Sequence, residues 1–251
     1  MRQLRREAYG EDIGQHSWVT ATELRDDLTH LALQPSSRLL DLGCGPGGPL
    51  TYLVAAAGCR GTGVDQDPLA LESARHRAAA TGIATSVTTV AGDLDDPLPF
   101  PDHEFDAALA LDVVIHLRDR SVFYREVARV LRPGGRFLVT DAAVVTGALS
   151  SEEVRNRSGH GFTQLVPVGW NEARLQAAGF RLLETTDRTA SVTTNAGGRL
   201  AAIQAHHGEL AEQWGEDQLA AQRRYLEAAA ALASRGALSR MGYLAERVDP
   251  R

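Results

Sequence analysis

Two kinds of hydrophobic pattern alternate along this chain. Residues 61–65 and the β-branched segment 85–91 are predicted strands, and short apolar runs that lead into glycine or aspartate occupy Arg38–Leu42 and Phe105–Leu111. Such runs, without polar residues at alternate positions, are typical of strands buried on both faces of a parallel sheet. Because helical segments separate them, the pattern predicts an α/β fold with a doubly wound, mostly parallel sheet.

The segments between these runs carry apolar residues at helical spacing. Asp67 followed by Pro68 predicts a helix start, since aspartate caps a helix N-terminus and proline fits the first turn. Further strands are expected at residues 136–141, Phe180–Asp187 and 241–247. Helices are expected at residues 20–33, 49–57, Pro68–Ala80, 121–131, 170–178 and 200–232, the last of them broken near Gly208 or Gly215.

The length of 251 residues, with 43% hydrophobic residues, is enough for one large α/β domain with its own core. We predict a single domain, residues 1–251, made of four parts. These are an N-terminal lid at residues 1–36, a cofactor-binding core at 37–187, a helical cap insertion at 188–238 and a last strand at 239–251.

Composition narrows the possible chemistry. The net charge of −6 disfavours nucleic acid as a partner, and because all 26 basic residues are arginine, no Schiff-base lysine exists. Cys44 and Cys59 form no CxxC pair, so neither a zinc site nor a disulfide framework is indicated, and Cys44 is interpreted as a small filler. We expect no metal.

The N-terminus lacks an apolar leader, and no run reaches the roughly 18 apolar residues of a membrane span. We therefore expect a soluble cytoplasmic protein without a membrane partner.

A glycine-rich turn follows the first predicted strand, in the order Gly43-Cys44-Gly45-Pro46-Gly47-Gly48. A strand, a glycine turn and a helix N-terminus gather backbone N–H groups around one small volume. Glycine permits a positive φ there and lets a ligand approach the bare backbone. Asp41, just before the turn, offers a carboxylate to the cationic end of a ligand. Gly43, Gly45 and Gly48 also fit the dinucleotide pattern, which leaves a nicotinamide-dependent oxidoreductase open at this point.

Two more acids end predicted strands. Asp65 ends the second strand and Asp93 follows the third. In open α/β sheets ligands bind beyond the carboxyl ends of the strands. An acid at the position of Asp65 is the usual partner of two ribose hydroxyls, while Asp93 and its apolar neighbour Leu94 suit an exocyclic amine and a purine face. The sequence therefore predicts a nucleoside site at this edge.

With these residues in place, the chain resembles the class I S-adenosylmethionine-dependent methyltransferases. The resemblance covers about residues 38–187 and includes a Leu-Arg-Pro-Gly-Gly turn before the fifth strand, typical of small-molecule members. It implies a seven-stranded Rossmann-like sheet that finishes with an antiparallel strand at 241–247. The motifs that carry it lie at residues 39–48, 63–65, 92–94, 105–117 and 131–141.

The same resemblance implies S-adenosyl-L-methionine as cofactor and S-adenosyl-L-homocysteine as product. In it the glycines pass under the methionine part and Asp41 lies near its ammonium, while the tip of the fourth strand faces the sulfonium. The implied cofactor contacts are Asp41, Gly43, Gly45, Gly47, Asp65, Gln66, Asp93, Leu94, Leu111 and Asp112.

A looser resemblance links the chain to the phosphoethanolamine (phosphobase) N-methyltransferases. In that family a tyrosine of the N-terminal lid and a histidine after the fourth strand close over the substrate, and Tyr9 and His116 are similar to that pair. Histidine ionises near neutral pH and suits removal of a proton from an amine or hydroxyl. Arg157 and His160 stand in the region of the family's phosphate-binding residues.

We therefore predict methyl transfer to the nitrogen or oxygen of a small-molecule acceptor, of the kind found in secondary metabolism, by a monomer or homodimer. A C-methyltransferase of quinone or lipid type, the nicotinamide oxidoreductase and a non-catalytic cofactor-binding module are the alternatives. The catalytic candidates are His116 and Tyr9. Candidate substrate contacts are Trp18, Arg157, His160, Phe162 and Trp170.

Overall fold

The protein, described by a computed structural model at residues 2–158 and 161–248, is built on one central sheet with helices on both faces. The predicted strands at Arg38–Leu42 and Phe105–Leu111 are confirmed without change. The strands are β1 (Arg38–Leu42), β2 (Arg60–Asp65), β3 (Val87–Ala91), β4 (Phe105–Leu111), β5 (Leu131–Val145), β6 (Val166–Pro167), β7 (Phe180–Asp187) and β8 (Leu238–Arg247).

The strands are ordered β3-β2-β1-β4-β5-β8-β7, and β6 pairs with β5 outside this path. β1 to β5 run parallel, whereas β8 runs antiparallel between β5 and β7, which confirms the predicted antiparallel last strand. The chain reverses its direction of travel across the sheet between β1 and β4. This reversal opens a crevice at the carboxyl ends of both strands, which is where ligands bind in such sheets.

Ten helices lie within residues 2–158 and 161–248. The Asp67 side chain accepts a hydrogen bond from the Leu69 N–H, so the predicted cap is present at the start of the fourth helix. The helices are α1 (Arg2–Tyr9), α2 (Ala21–Leu31), α3 (Gly48–Ala57), α4 (Pro68–Ala80), α5 (Arg120–Val130), α6 (Ser151–Arg157), α7 (Trp170–Ala177), α8 (Thr189–Ala205), α9 (His207–Trp214) and α10 (Glu216–Ser234).

The core is divided by the sheet into two apolar layers. Leu39 packs into one layer with Leu50 of α3, and its neighbour Leu40 packs into the other with Phe123 of α5. Successive side chains of a strand point to opposite faces, so an unbroken apolar run is what two covered faces require.

The cap differs from the predicted helix at residues 200–232. Its first helix, α8, begins at Thr189, and breaks lie at His206 and Gly215. Residues 189–198 are rich in threonine, asparagine and glycine, which have low helix propensity, but Val192 and Ala196 pack into the apolar interior of the cap. That packing outweighs the local preference. No helix in the described part of the chain is both long and apolar enough to cross a membrane.

Candidate active site

The glycines of the turn have different tasks. Gly43, Gly45 and Gly47 all have φ between 51° and 72°, where a side chain is strained. A Cβ on Gly43 would lie 2.6 Å from Val113, and one on Gly47 would lie 2.7 Å from Ala74 of α4. A Cβ on Gly45 would project into open space. Gly47 therefore serves packing and is not among the residues that line the two cavities described next, while Gly45 leaves room for a ligand.

Two adjoining cavities lie along the carboxyl edge of the sheet. We call the first, of about 360 Å³, the central cavity, and the second, of about 450 Å³, the outer cavity. They share Gly43, Val113 and His116. The central cavity is lined by Asp41, Gly45, Leu111, Asp112, Trp18 and Arg157 among others, and the outer cavity by Asp65, Gln66, Asp93, Leu94 and Phe162 among others.

The outer cavity has two carboxylates and an apolar wall. Oδ2 of Asp65 accepts a hydrogen bond from the Gly45 N–H at 2.8 Å, so this acid also holds the glycine turn. Oδ1 of Asp93 accepts from the Asp95 N–H at 3.0 Å. Leu94 is buried beside it. Carboxylate acceptors next to an apolar surface are the features that a ribose and a purine ring require.

Asp41 is the most perturbed acid of the central cavity. It is 2% exposed, and its Oδ2 has no hydrogen-bond partner. Burial, and then the charge of Asp65, raise the pKa of Asp41 to about 8. A buried carboxyl group without a donor fits a ligand that brings one, above all a cationic ammonium group.

Asp112, by contrast, has no free charge to offer. Its Oδ1 accepts from the Thr140 hydroxyl and from Nε of Arg240, each at 2.8 Å, and its Oδ2 accepts from the Trp18 N–H at 2.9 Å. The residue itself has φ 58°, an unusual value for aspartate. Leu111 and Asp112 line the central cavity, but the Asp112 carboxylate is committed to holding Trp18 and Arg240.

His116 lies at the junction of the two cavities. Its Nδ1 is 3.0 Å from the backbone carbonyl oxygen of Phe162. A carbonyl oxygen can only accept, so in the neutral ring Nδ1 carries the proton and Nε2 keeps its lone pair. This tautomer leaves Nε2 able to take a proton from a neighbouring group.

Tyr9 lies in a third cavity, of about 220 Å³, which we call the lid cavity. Burial raises the pKa of the Tyr9 hydroxyl, so the phenol stays protonated at neutral pH. The lid cavity adjoins the central cavity, because His16, Arg199 and Gln222 line both. Tyr9 and His116 thus line different cavities, and their joint action stays a prediction.

The substrate candidates are separated by the structure. Trp18 and Arg157 line the central cavity, whereas Phe162 is exposed and lines the outer cavity. Trp170 lines none of the three cavities; the guanidinium groups of Arg120 and Arg174 lie over its ring instead. The geometry therefore does not support a substrate contact for Trp170. His160 lies outside the described residues.

Sequence reasoning missed several residues that line the central cavity. His16 is one of them. Desolvation in the cavity wall, followed by the positive charges of Arg5 and Arg199, lowers the pKa of its imidazole. The available signal for it was the segment 9–18, which is rich in aromatic and hydrogen-bonding side chains. No local signal pointed to Arg199, because it lies in the part of α8 that directly follows Gly197 and Gly198. Gln222 and Tyr225, from α10, complete this wall.

Known proteins match this chain over its core. The family model described as "Methyltransferase domain" matches residues 40–139. A 27-O-demethylrifamycin SV methyltransferase of Amycolatopsis mediterranei is 33% identical over 183 residues, which are 68% of this chain and 67% of that protein. A sterol 24-C-methyltransferase of Gibberella zeae is 30% identical over 195 residues, 73% of this chain. The chain spans about half (49%) of the length of that sterol relative.

The fold has a counterpart of known structure. A phosphoethanolamine N-methyltransferase of Haemonchus contortus, in complex with phosphomonomethylethanolamine and S-adenosylhomocysteine, has a TM-score of 0.83 at 18% identity. The match covers 99% of this chain and 57% of that one. The family match and the relatives together show that the chain belongs to the S-adenosylmethionine-dependent methyltransferases, and not to the nicotinamide oxidoreductases.

The residues present fit the cofactor of this family. The unpartnered Oδ2 of Asp41 suits the ammonium group, and the open space over Gly45 suits the methionine part. Asp65, Asp93 and Leu94 suit the nucleoside.

Proposed function

We propose that this protein transfers a methyl group from S-adenosylmethionine to a nitrogen or oxygen atom of a small-molecule acceptor. The observation that carries the proposal is the contact of His116 Nδ1 with the Phe162 carbonyl oxygen, which leaves Nε2 without a hydrogen-bond partner among the described residues at the junction of the central and outer cavities. When bound, the cofactor supplies a methyl group on a sulfonium, already activated for displacement. An N–H or O–H acceptor must lose a proton as it forms its bond to carbon, and Nε2 of His116 receives that proton.

The remaining residues of the site bind and align. Asp41, Asp65 and Asp93 hold the cofactor at three points, so that its methyl group keeps one position. Holding two reactants in a reactive geometry accounts for a large share of the barrier reduction in a displacement of this kind. The C–S electron pair stays on sulfur, which yields S-adenosylhomocysteine, and the new bond joins the methyl carbon to the acceptor.

C-methylation is the second candidate, since one relative is named as a sterol 24-C-methyltransferase. A wide apolar pocket would suit such an acceptor. The central cavity instead has Arg157 and Arg199 in its wall, which supports a polar acceptor.

Pools of amines, phenols and alcohols, incubated with the protein and methyl-labelled S-adenosylmethionine, test the proposal. We expect label in an N- or O-methyl product, together with binding of S-adenosylhomocysteine and no comparable binding of NAD in calorimetry. If label appeared only in C-methyl products, C-methylation would be the activity and the proposal would be wrong. Tight NAD binding without binding of either adenosyl compound would overturn both.

Cofactor binding should depend on pH through Asp41. The ammonium group of the ligand favours an ionised carboxylate, whereas burial keeps Asp41 protonated below its pKa of about 8. Binding of S-adenosylhomocysteine should therefore release a proton, and affinity should fall by up to about tenfold per pH unit from pH 7.5 to pH 6. Calorimetry in buffers of different ionisation enthalpy measures the released proton.

Asp41→Asn is the matched control, because it keeps the shape and removes the titration. It should bind the ligand more weakly and without this pH dependence. Because the folded-state pKa of Asp41 lies above its unfolded value, the wild type loses stability as pH rises from about 4 to 8. The ligand-free variant should therefore melt higher than the wild type at pH 7 and similarly at pH 4. A wild-type affinity that is flat with pH would contradict the assignment.

Gly45→Val should weaken cofactor binding, because the side chain would fill the open space that the ligand needs. We expect a cost of about 1–3 kcal/mol in binding free energy, the scale of overpacking. Gly58→Val is the matched control, since Gly58 also has a positive φ of 67° and open space at its Cβ but ends α3 away from the cavities. Both variants should lose similar thermal stability, and only Gly45→Val should lose affinity. Equal affinity in the two variants would show that the ligand does not lie over Gly45.

A further inference from the structure

Arg157, the last residue of α6, is a buried cation with neutral partners. It is 3% exposed. One terminal nitrogen donates to the hydroxyl of Tyr225 and the other to the carbonyl of Ala142, each at 3.1 Å, and the guanidinium lies 5.2 Å from the centre of the Tyr225 ring. Within residues 2–158 and 161–248, no carboxylate oxygen lies within ion-pair distance of Arg157.

Arg120 and Arg240 are fully buried and the Arg188 side chain is 10% exposed, and all three are paired with acids. Arg120 contacts Asp141 at 2.5 Å, Arg188 contacts Asp27 at 2.6 Å, and Arg240 contacts both Asp112 and Glu23. A buried charge costs several kcal/mol unless an opposite charge compensates it. Arg157 departs from this rule, since no acid among the described residues compensates its charge.

The position of Arg157 shows where such a counter-ion would come from. Arg157 lines the central cavity, and so does Arg199, which lies over the Trp18 ring at 5.6 Å and also has no carboxylate within ion-pair distance among the described residues. The cap contributes no acid to this wall; its other lining residues there are Gln222 and Tyr225. The cap side of the cavity is therefore positively charged and open to a ligand.

The lid cavity adds an apolar extension to this charged wall. Arg199 stands at the border of the two cavities. Beyond it Ala8, Ala202, Ile203, Leu210 and Trp214 form the apolar part of the lid cavity, whose remaining wall includes Arg5, Tyr9 and Gln15.

We propose that the methyl acceptor is an organic anion whose carboxylate or phosphate group binds Arg157, with an apolar body directed into the lid cavity. The inference rests on the proposed function, because it assigns the acceptor of that same site. The anion supplies the missing counter-charge, and Arg199 adds to the positive potential that attracts it. A charge-assisted hydrogen bond to a guanidinium group is about twice as strong as a neutral one.

Calorimetry on the protein saturated with S-adenosylhomocysteine tests the inference with matched probes. These are 3-phenylpropionate, its neutral amide 3-phenylpropionamide, and phenyl phosphate. We expect the better of the two anions to bind at least about tenfold more tightly than the amide, since hydrogen bonds between two charged groups are stronger than those to a neutral group. Which anion is preferred distinguishes a carboxylate acceptor from a phosphate acceptor.

Two arginines of α6 give matched variants. Arg157→Gln should abolish the preference for the anion and leave the affinity for S-adenosylhomocysteine unchanged. Arg155→Gln removes the same charge from an exposed position of the same helix and should change neither. Arg157→Lys should keep part of the preference, because the charge remains.

The outcomes separate the two proposals. If the wild type binds the anions no better than the amide, or if Arg157→Gln keeps the preference, the anion site is overturned while methyl transfer stands. If the wild type does not bind S-adenosylhomocysteine in the first titration, the proposed function fails instead. The comparison of anion and amide on the wild type decides the first question even if Arg157→Gln does not fold.

Discussion

Replacing His116 with alanine is expected to slow methyl transfer by about 10²–10⁴-fold, the usual contribution of a positioned proton acceptor. The Phe162 carbonyl fixes the ring with Nδ1 protonated, so the variant loses the Nε2 lone pair at the junction of the cavities. Affinity for S-adenosylhomocysteine should change little, because its predicted contacts are Asp41, Asp65 and Asp93. Single-turnover rates with the identified acceptor, together with calorimetry, measure both quantities.

His16 provides the matched control, since it is a second histidine in the wall of the central cavity. Its lowered pKa keeps it neutral, but no hydrogen bond to its ring orients it among the described contacts. We expect His16→Ala to cost less than about tenfold in rate, below the range of a positioned base. Added imidazole should partly restore His116→Ala. If His116→Ala works at the wild-type rate while His16→Ala is slow, His16 and not His116 is the proton acceptor.

Tyr9→Phe extends this test to the lid. If Tyr9 and His116 act as one unit, the double variant should lose less than the sum of the single losses. Additive losses would instead agree with their separation into different cavities.

Replacing Arg240 with methionine should lower the free energy of unfolding by about 3–5 kcal/mol, the cost of removing one partner from a buried ion pair. Arg240 is fully buried and donates to Oδ1 of Asp112 at 2.8 Å, to Glu23 at 2.9 Å and to Ser191 at 2.9 Å. Without it the Asp112 carboxylate stays buried with its charge uncompensated. Urea unfolding at neutral pH measures the loss.

Arg181→Met is the matched control for Arg240. Arg181 pairs with Glu246 at 2.7 Å, a similar distance, but its side chain is 63% exposed. Exposed pairs contribute about 0.2–1 kcal/mol, so this variant should be close to wild type. Equal losses in the two variants would mean that burial does not set the strength of these pairs.

The same ion-pair network holds the lid against the site. Asp112 accepts from the Trp18 N–H, and the Asn195 amide donates to the Trp18 carbonyl at 2.6 Å. Loss of Arg240 should therefore also disturb the position of Trp18 in the wall of the central cavity.

Local patterns in the sequence determined the sheet and the edge at which its acidic side chains meet. Apolar runs predicted β1 and β4 because a strand covered on both faces needs unbroken hydrophobicity, and Asp67-Pro68 predicted the start of α4 because caps are local. The acids Asp65 and Asp93 follow strands, and parallel strands bring their carboxyl ends to one edge. These features depend on residues close together in the chain, so a sequence reveals them.

Tertiary structure alone decided the acceptor side. The partner of Asp112 is Arg240, 128 residues away, and Arg157 contacts Tyr225, 68 residues away. No local pattern links such residues, and none shows that the Arg120 and Arg174 guanidinium groups lie over Trp170 while Arg199 lines the central cavity. The start of α8 was missed for the same reason, since packing in the cap outweighs the low helix propensity of its sequence. Charges and side chains from distant segments meet only when the cap folds onto the sheet, and that step decides which of them remain free to bind a ligand.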